Sequence, residues 1–296
     1  MNNQDNEKVF QKSQINWYPG HMAKTKNEVK SMLNLIDVVL EIIDARIPDS
    51  SKNKEIDKLI CSKPRILIMT KYDLCDKQET NRWVSYYESL GYRVICLDLV
   101  NNSKLDELYD EINKISAIIE KKRLEKGLKG RRVRALVLGI PNVGKSTLIN
   151  RMVGKKVTNV GNKPGITKKL EWIRVSNEFE LLDTPGILWP KLENEEIALN
   201  LASMMAIKEE ILDNEEVAIH IIKKMVELYP QNFKNRYGID KYDDIVSVLD
   251  AIGKKIGAIR NNETDYEKVY NRVLSDLRDG YLGKVTFDKY LLIDKK

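Results

Sequence analysis

The 296-residue chain is 42% hydrophobic and has a net charge of +6, a composition typical of a globular protein with about two domains. No stretch approaches the roughly 18 apolar residues of a membrane-spanning helix, and the polar first residues do not resemble a signal peptide. We therefore expect a cytoplasmic protein without a membrane span. Cys61, Cys75 and Cys96 lack the spacing of a zinc site or a disulfide framework.

Short apolar runs rich in β-branched residues alternate with helical patterns up to about Pro190. This alternation is typical of the α/β class, with helices on both faces of a mostly parallel sheet. The strands are predicted at residues 38–43, 65–69, 93–97, 133–138, 171–175 and 179–182. Helices are predicted over residues 105–119 and 145–153, where apolar residues recur at helical spacing.

After Pro190 only helical patterns remain, which predicts a separate all-α domain. Its helices are predicted near residues 193–212, 215–229, 243–256 and 264–279. Asp213, Asp243 and Thr264 are predicted to cap three of these helices, because Asp and Thr side chains accept hydrogen bonds from the first free N–H groups.

Residues 139–146 have the pattern GxxxxGKS between a predicted strand and a predicted helix. In such a phosphate loop the backbone N–H groups and the helix N-terminus bind phosphate oxygens. Lys145 is predicted to reach the β and γ phosphates, and Ser146 to bind Mg²⁺. A glycine turn without a ligand would not need Lys and Ser directly after Gly144. Nucleotide contacts are predicted at Asn142, Val143, Gly144, Lys145, Ser146 and Thr147.

Two further motifs follow the phosphate loop. Residues 181–186 (LLDTPG) end an apolar strand with Asp183, a Mg²⁺ partner, and with Gly186, whose N–H can bind the γ-phosphate. Residues 162–167 (NKPGIT) contain Thr167, a hydroxyl that can bind Mg²⁺ when the γ-phosphate is present. Thr167 could be an ordinary turn residue, but its place between the other two motifs favours the switch role.

Base specificity is predicted at Thr70-Lys71-Tyr72-Asp73. The Asp73 carboxylate can accept from guanine N1–H and the 2-amino group, which adenine lacks, and the Lys71 stem can cover the base. This pattern alone is also typical of a solvated turn, whereas the other motifs favour GTP binding. It precedes the phosphate loop, so the order of motifs is circularly permuted. Such a rotation preserves a fold whose original termini were close together.

With this order, the sequence resembles the ribosome biogenesis GTPase A family, also called YlqF or RbgA, which are circularly permuted GTPases of the TRAFAC class. The resemblance includes residues 16–22 (NWYPGHM) and 44–48 (DARIP). The expected organisation is an N-terminal arm (1–30), a circularly permuted P-loop GTPase domain (31–190) and a helical RNA- or ribosome-binding domain (191–296).

The resemblance implies a function as well as a fold. It implies a monomeric GTP hydrolase that binds the precursor of the large (50S) ribosomal subunit and its rRNA late in maturation. GTP hydrolysis would be faster on that particle. Two other functions remain open: a nucleotide-gated RNA-binding factor, and a tRNA-modification or membrane-associated GTPase. The last two lack support, because no set of modification-domain cysteines and no amphipathic anchor is found.

The catalytic residue is less direct to assign. Many GTPases have a water-orienting Gln after the glycine of the third motif, but Ile187 follows Gly186 here. The resemblance implies that His21 takes this role, with Lys145 and Thr167 completing the catalytic set. We also expect Asn142 to help bind K⁺ beside the phosphates, as in related potassium-activated GTPases, although Asn also favours turns.

Three other segments bear on binding. Thr70 stands where GTPases usually have Asn, so its bond to the phosphate loop is expected to differ. The expected fifth motif, usually Ser-Ala, is Asp98-Leu99-Val100. Residues 121–134 hold eight basic residues and only Glu125 as an acid, which favours RNA contact, although such runs are often solvated faces.

Overall fold

The structure is a computed structural model that describes residues 20–60, 63–101, 105–158, 170–186, 194–207, 212–242 and 244–290, apart from the side chains of 20–23 and 54–56. The apolar runs form β1 (Val38–Asp44), β2 (Arg65–Thr70), β3 (Arg93–Leu97), β4 (Val133–Gly139), β5 (Glu171–Arg174) and β6 (Phe179–Asp183). These strands make one sheet in the order β3-β2-β1-β4-β6-β5. All paired neighbours are parallel except β5 and β6, which confirms the mostly parallel sheet.

Helices cover both faces of this sheet, as predicted. One face packs against α4 (Asp106–Leu124) and α5 (Lys145–Val153). The other face packs against α1 (Gly20–Met32), α2 (Lys54–Ile60) and α3 (Lys77–Ser89). Strand β1 is therefore buried along its whole length, which explains its nearly continuous apolar sequence.

The described chain from residue 194 is mainly helical, which agrees with the predicted helical region. Its helices are α6 (Glu195–Ser203), α7 (Asn214–Leu228), α8 (Pro230–Tyr237), α9 (Ile245–Ile256) and α10 (Tyr266–Arg278). A short hairpin, β7 (Ile259–Arg260) with β8 (Glu263–Thr264), joins α9 to α10. None of the described helices is long and apolar enough to cross a membrane.

The helix ends show which capping predictions held. Asp213 caps α7 by accepting a hydrogen bond from Glu215 N, as predicted. The prediction for Thr264 was wrong, because the next residue, Asp265, caps α10 by accepting from Lys268 N.

The cap of α9 is Asp244, and the predicted Asp243 lies outside the described residues. Helix α8 lies between the helices predicted near 215–229 and 243–256 and was not predicted, because the Tyr229-Pro230 and Tyr237-Gly238 pairs are typical of breaks between helices. They are its two ends, with Pro230 in the first turn and Gly238 in the left-handed conformation.

The segment 285–290 returns from the helical region to the sheet. Val285 N donates to Leu74 O at 3.1 Å, and Phe287 N donates to Arg46 O at 2.8 Å. Phe287 is fully buried. The loops that follow β1 and β2 are therefore covered by residues from the far end of the described chain.

Candidate nucleotide-binding site

The candidate site lies at the carboxyl edge of the sheet, which is where open α/β sheets bind ligands. Four parallel strands end at this edge, at Asp44, Thr70, Gly139 and Asp183. The strand register pairs Asp44 with Thr70, and Ile42 with Gly139. The base motif after β2 and the phosphate loop after β4 therefore lie on either side of the end of β1, although α3, β3 and α4 separate them in sequence.

The phosphate loop has a conformation that requires its glycines. A Cβ atom at Gly139 would lie 2.5 Å from Ile42 O, and Gly144 has a φ of +103° at the start of α5. Lys145 Nζ bends back over the loop and donates to Gly139 O at 3.1 Å and to Ile140 O at 2.8 Å. Burial lowers the pKa of Lys145 to about 8. An anionic phosphate beside the ammonium group would favour its charged form by ion pairing.

Asp183 is the residue that points most clearly to a cation site. Its side chain is buried, and burial raises its pKa to about 6. Its Oδ1 atom has no hydrogen-bond partner among the residues that the structure describes. A buried carboxylate oxygen is costly unless it is bound, and Mg²⁺ or a Mg²⁺-bound water is a suitable partner. Asp183 and Ser146, which lies half-buried in the first turn of α5, therefore fit a Mg²⁺ site.

Gly186 lies against the phosphate loop. A Cβ atom at this position would be 2.7 Å from both the N and the Cα atoms of Pro141, so a larger residue would collide with backbone. The motif that contains Asp183 and Gly186 is thus in contact with the loop predicted to bind the phosphates. This arrangement allows a γ-phosphate to touch both segments.

The base motif is tied to the phosphate loop by Thr70. Its hydroxyl group contacts Val143 O at 2.5 Å and Ile43 O at 3.2 Å. The Thr in place of the usual Asn therefore still links the two segments. Lys71 has a φ of +58°, and Asp73 is half-buried with a pKa raised mainly by that burial.

The loop after β3 also reaches the site. The Asp98 carboxylate accepts from Val100 N and Asn101 N, both at 2.9 Å. Leu99 is buried, and its Cδ1 atom lies 3.3 Å from the position of a Cβ on Gly144. Leu99 thus packs beside the phosphate loop, in the segment where small residues were expected.

Four predicted site residues remain: Thr167, His21, Asn142 and Thr147. Thr167 lies outside the described residues. His21 lies in the first turn of α1, but its side chain is not described. Asn142 has a φ of +57°, and its Nδ2 atom donates to Met205 O at 2.6 Å. Thr147 is half-buried in the first turn of α5.

Asp44 was not predicted as a site residue. Its carboxylate binds Lys71 Nζ at 2.8 Å and Arg46 Nη2 at 2.9 Å. The sequence signal that could have identified Asp44 is an acidic residue at the end of an apolar strand. That strand, β1, lies next to β2, which the base motif follows. Its partner could not be inferred without the register of β1 and β2.

Comparisons with known proteins agree with this geometry. Residues 134–269 match the family model of 50S ribosome-binding GTPases, and residues 23–193 match that of RsgA GTPases. The ribosome biogenesis GTPase A proteins of Bacillus cereus and Priestia megaterium are each 42% identical to the chain, over 93% of it and over 93% and 96% of their own lengths.

A solved structure is similar to this chain over almost the same share of its length as these two relatives. The crystal structure of GNP-bound YlqF from T. maritima has a TM-score of 0.61 and 25% sequence identity, over 90% of this chain and 98% of that chain. From the permuted motifs, the sheet and these relatives, we conclude that the chain belongs to the ribosome biogenesis GTPase A family and is a GTP hydrolase.

Proposed function

We propose that the chain is a cytoplasmic ribosome assembly factor, monomeric in solution, that binds the precursor of the large (50S) ribosomal subunit late in its maturation. GTP hydrolysis is slow in the free protein and accelerates on the particle. The names of the relatives, ribosome biogenesis GTPase A and 50S ribosome-binding GTPase, support the ribosomal partner.

The observation that carries this proposal concerns the phosphate loop and the motif that ends at Gly186. Their residues fit a nucleotide and Mg²⁺, but no water-orienting residue follows Gly186. Lys145 is buried beside the loop, and Asp183 Oδ1 is buried with no hydrogen-bond partner among the described residues. Ile187 and Leu188, which follow Gly186 in sequence, cannot orient water by hydrogen bonding. Another group must therefore complete the site.

His21 is our candidate for that group. It is in the first turn of α1, and α1 is anchored to the sheet by Val29, which is fully buried. A helix of this length spans about 20 Å, close to the length of a seven-residue strand. Since α1 ends shortly before the start of β1, it can carry His21 toward the opposite, carboxyl edge.

The remaining site residues have the roles that their motifs suggest. Lys145 binds the β and γ phosphates, and the N–H groups of Val143, Gly144 and Thr147 bind phosphate oxygens. Ser146, Asp183 and Thr167 hold Mg²⁺, and Gly186 binds the γ-phosphate. Asn142 helps to hold K⁺. At the base, Asp73 selects guanine, the Lys71 stem covers the ring, and Thr70 holds the base motif to the phosphate loop.

The contact with rRNA is proposed at a lysine patch on α4 and the following loop. Within the described chain, Arg131 pairs with Asp37, and Arg132 and Arg134 pair with Glu180. Four exposed lysines of this stretch have no acidic partner among the described residues. They form the lysine patch: Lys121, Lys122, Lys126 and Lys129. These are the side chains available to neutralise phosphates.

The test is single-turnover GTP hydrolysis with and without large-subunit precursor particles. We expect the particles to accelerate hydrolysis by the wild-type protein, and His21→Ala to abolish the acceleration while GDP affinity is unchanged. His220→Gln is the matched control, because His220 is the other histidine of the chain and lies half-buried on α7, against Asn200 of α6.

Undiminished acceleration in His21→Ala would remove His21 from the mechanism. A protein that neither binds nor responds to the particles would contradict the proposed partner. A hydrolysis-deficient variant that still completes subunit assembly would instead favour the nucleotide-gated binding factor.

A further inference from the structure

A buried ion cluster lies next to the base motif. The Asp44 side chain accepts from Arg46 Nε at 3.0 Å and from Arg46 Nη2 at 2.9 Å, so one guanidinium group binds both carboxylate oxygens. Lys71 Nζ donates to Asp44 Oδ2 at 2.8 Å. Asp44 and Arg46 are 1% and 3% exposed, respectively. These charge-assisted hydrogen bonds are shielded from water, and such bonds are stronger in a buried environment than in water.

Lys71 adopts a backbone conformation that non-glycine residues seldom occupy. Its φ is +58°, and its ammonium group ends at Asp44. A positive φ costs a non-glycine residue free energy, and the conformation persists only where the surrounding structure enforces it. Asp73, the proposed acceptor for the guanine edge, is two residues further on. The ammonium anchor therefore fixes the methylene stem of Lys71 beside the proposed base site.

Asp44 is itself held rigidly. Its backbone N donates to Ser51 Oγ at 3.0 Å, and Arg46 O accepts from Phe287 N at 2.8 Å. Burial opposes ionisation of Asp44, but the charges of Arg46 and Lys71 overcome it and hold the pKa of Asp44 well below its usual range. Asp44 is thus a permanently charged anchor at the end of a central strand.

We propose that Asp44 is a positioning residue for guanine binding, which holds the Lys71 ammonium so that the lysine stem lies against the face of the base. Arg46 fixes the orientation of the Asp44 carboxylate. This inference rests on the proposed base site at Lys71 and Asp73. Because a stem that packs on the ring face ignores the 2-amino group, its contribution is the same for guanine and hypoxanthine.

The experiment measures the dissociation constants of GDP and inosine diphosphate, which lacks the 2-amino group. Lys71→Met keeps an unbranched stem, loses the ammonium group and leaves the Asp44–Arg46 pair in place. We expect both dissociation constants to rise about tenfold, because a stem without its ammonium anchor must be ordered when the nucleotide binds, with their ratio unchanged.

Asp44→Asn is the second variant, and a double-mutant cycle connects the two. If Asp44 acts through Lys71, Asp44→Asn weakens GDP binding in the wild type and has no further effect in Lys71→Met. Wild-type GDP affinity in Lys71→Met overturns the proposal, whether or not Asp44→Asn folds. An equal loss from Asp44→Asn in both backgrounds also overturns it.

Glu41→Gln is the matched control for burial. Glu41 is a 1% exposed carboxylate on the same strand, but it pairs with Lys52 and Arg65 instead of the base motif. We expect it to lower stability and leave GDP affinity unchanged. If Glu41→Gln weakens GDP binding as much as Asp44→Asn does, the effect of Asp44 is structural and the proposal fails.

Asp73→Asn separates this inference from the base-site assignment. A neutral amide cannot accept from both N1–H and the 2-amino group, so the preference for GDP over inosine diphosphate falls if Asp73 contacts the guanine edge. An unchanged preference contradicts the proposed base site itself. A fallen preference, together with wild-type affinity in Lys71→Met, contradicts only the role of Asp44.

Discussion

Asn142 Nδ2 in the phosphate loop donates a hydrogen bond of 2.6 Å to Met205 O, which follows helix α6. Both residues have positive φ, 57° for Asn142 and 60° for Met205. The bond joins the phosphate loop to the helical region and orients the Asn142 amide, because its nitrogen faces Met205. A change in the loop on nucleotide binding would thus reach α6 directly.

The amide oxygen of Asn142 is the proposed K⁺ ligand. We expect wild-type GTP turnover to be about tenfold faster in KCl than in NaCl of equal ionic strength, because a bound cation stabilises the developing phosphate charge. Asn142→Ala should give the same low rate in both salts. Phosphate release measures the rates. Equal wild-type rates in KCl and NaCl would exclude the cation site.

Thr70→Val should weaken both the fold and nucleotide binding. The change removes the hydroxyl that contacts Val143 O and leaves that carbonyl without its partner. We expect the free energy of unfolding to fall by about 1–3 kcal/mol, and GDP affinity to fall because the phosphate loop is less restrained. Urea denaturation and GDP titration measure the two effects.

Thr80→Val is the control for that variant. Thr80 is equally buried, and its hydroxyl donates to Ala45 O at 2.9 Å, away from the phosphate loop. It should lose a similar free energy of unfolding and bind GDP with nearly wild-type affinity. The same GDP affinity in both variants would show that the Thr70 contact is purely structural.

Replacing the four residues of the lysine patch by Gln should reduce the salt dependence of particle binding. Each lost phosphate contact lowers the slope of log K against log salt by about 0.7 to 0.9. Arg131→Gln is the comparison, because Arg131 is engaged by Asp37 at 2.7 Å and should change the slope little. Binding to precursor particles across a KCl series gives the slopes. An unchanged slope in the patch variant would place the RNA contact elsewhere.

A polar cluster joins α6, α7 and the segment 285–290. Asn200 Nδ2 donates to Asp288 Oδ1 at 2.9 Å, and Asn200 Oδ1 lies 2.8 Å from His220 Nε2. Burial, followed by the charge of Lys224, lowers the pKa of His220 to about 4. Burial raises the pKa of Asp288 to about 7, although Ser50 hydrogen bonds oppose it.

These two shifts have opposite effects on stability. His220 is neutral in the folded protein. Its contribution to the free energy of unfolding is therefore fully present above the unfolded-state pKa of about 6.5, and it is lost as the pH falls toward the pKa of His220 in the folded state. Asp288 favours its protonated form in the folded protein. Its contribution to the free energy of unfolding is therefore fully present below about pH 4, and it is lost as the pH rises through the pKa of Asp288 in the folded state.

Relative to the wild type, His220→Gln should therefore gain stability as pH falls from 7 to about 4.5, and Asp288→Asn should lose stability over the same range. Urea denaturation at a series of pH values measures the differences. Parallel pH profiles for both variants and the wild type would mean that neither group titrates as described.

The strands were predictable because their signal is local. β3 was predicted over residues 93–97 and is observed there, and the ends of β1, β2, β4 and β6 lie within one residue of prediction. Buried β-branched runs bounded by polar residues carry this information without reference to distant partners. The same holds for the phosphate loop, whose conformation follows from glycines at set spacing.

Contacts between distant segments were not predictable in this way. Asp288 binds Ser50 across 238 positions of sequence, and Asn142 meets Met205 across 63. The basic run 121–134 was predicted to favour RNA contact, yet its residues Arg131, Arg132 and Arg134 pair with Asp37 and Glu180. Neither the partners nor their distances can be obtained from spacing along the chain.

The sequence by itself determined the α/β class and the permuted order of motifs, and it indicated which residues would bind phosphate, Mg²⁺ and guanine, because each depends on a few neighbouring residues. Only the tertiary structure decided that Asp44 anchors Lys71, that Asp183 Oδ1 has no hydrogen-bond partner among the described residues, and that segment 285–290 covers the loops after β1 and β2. Those relationships depend on strand register and on packing between distant segments, which arise only when the chain is folded.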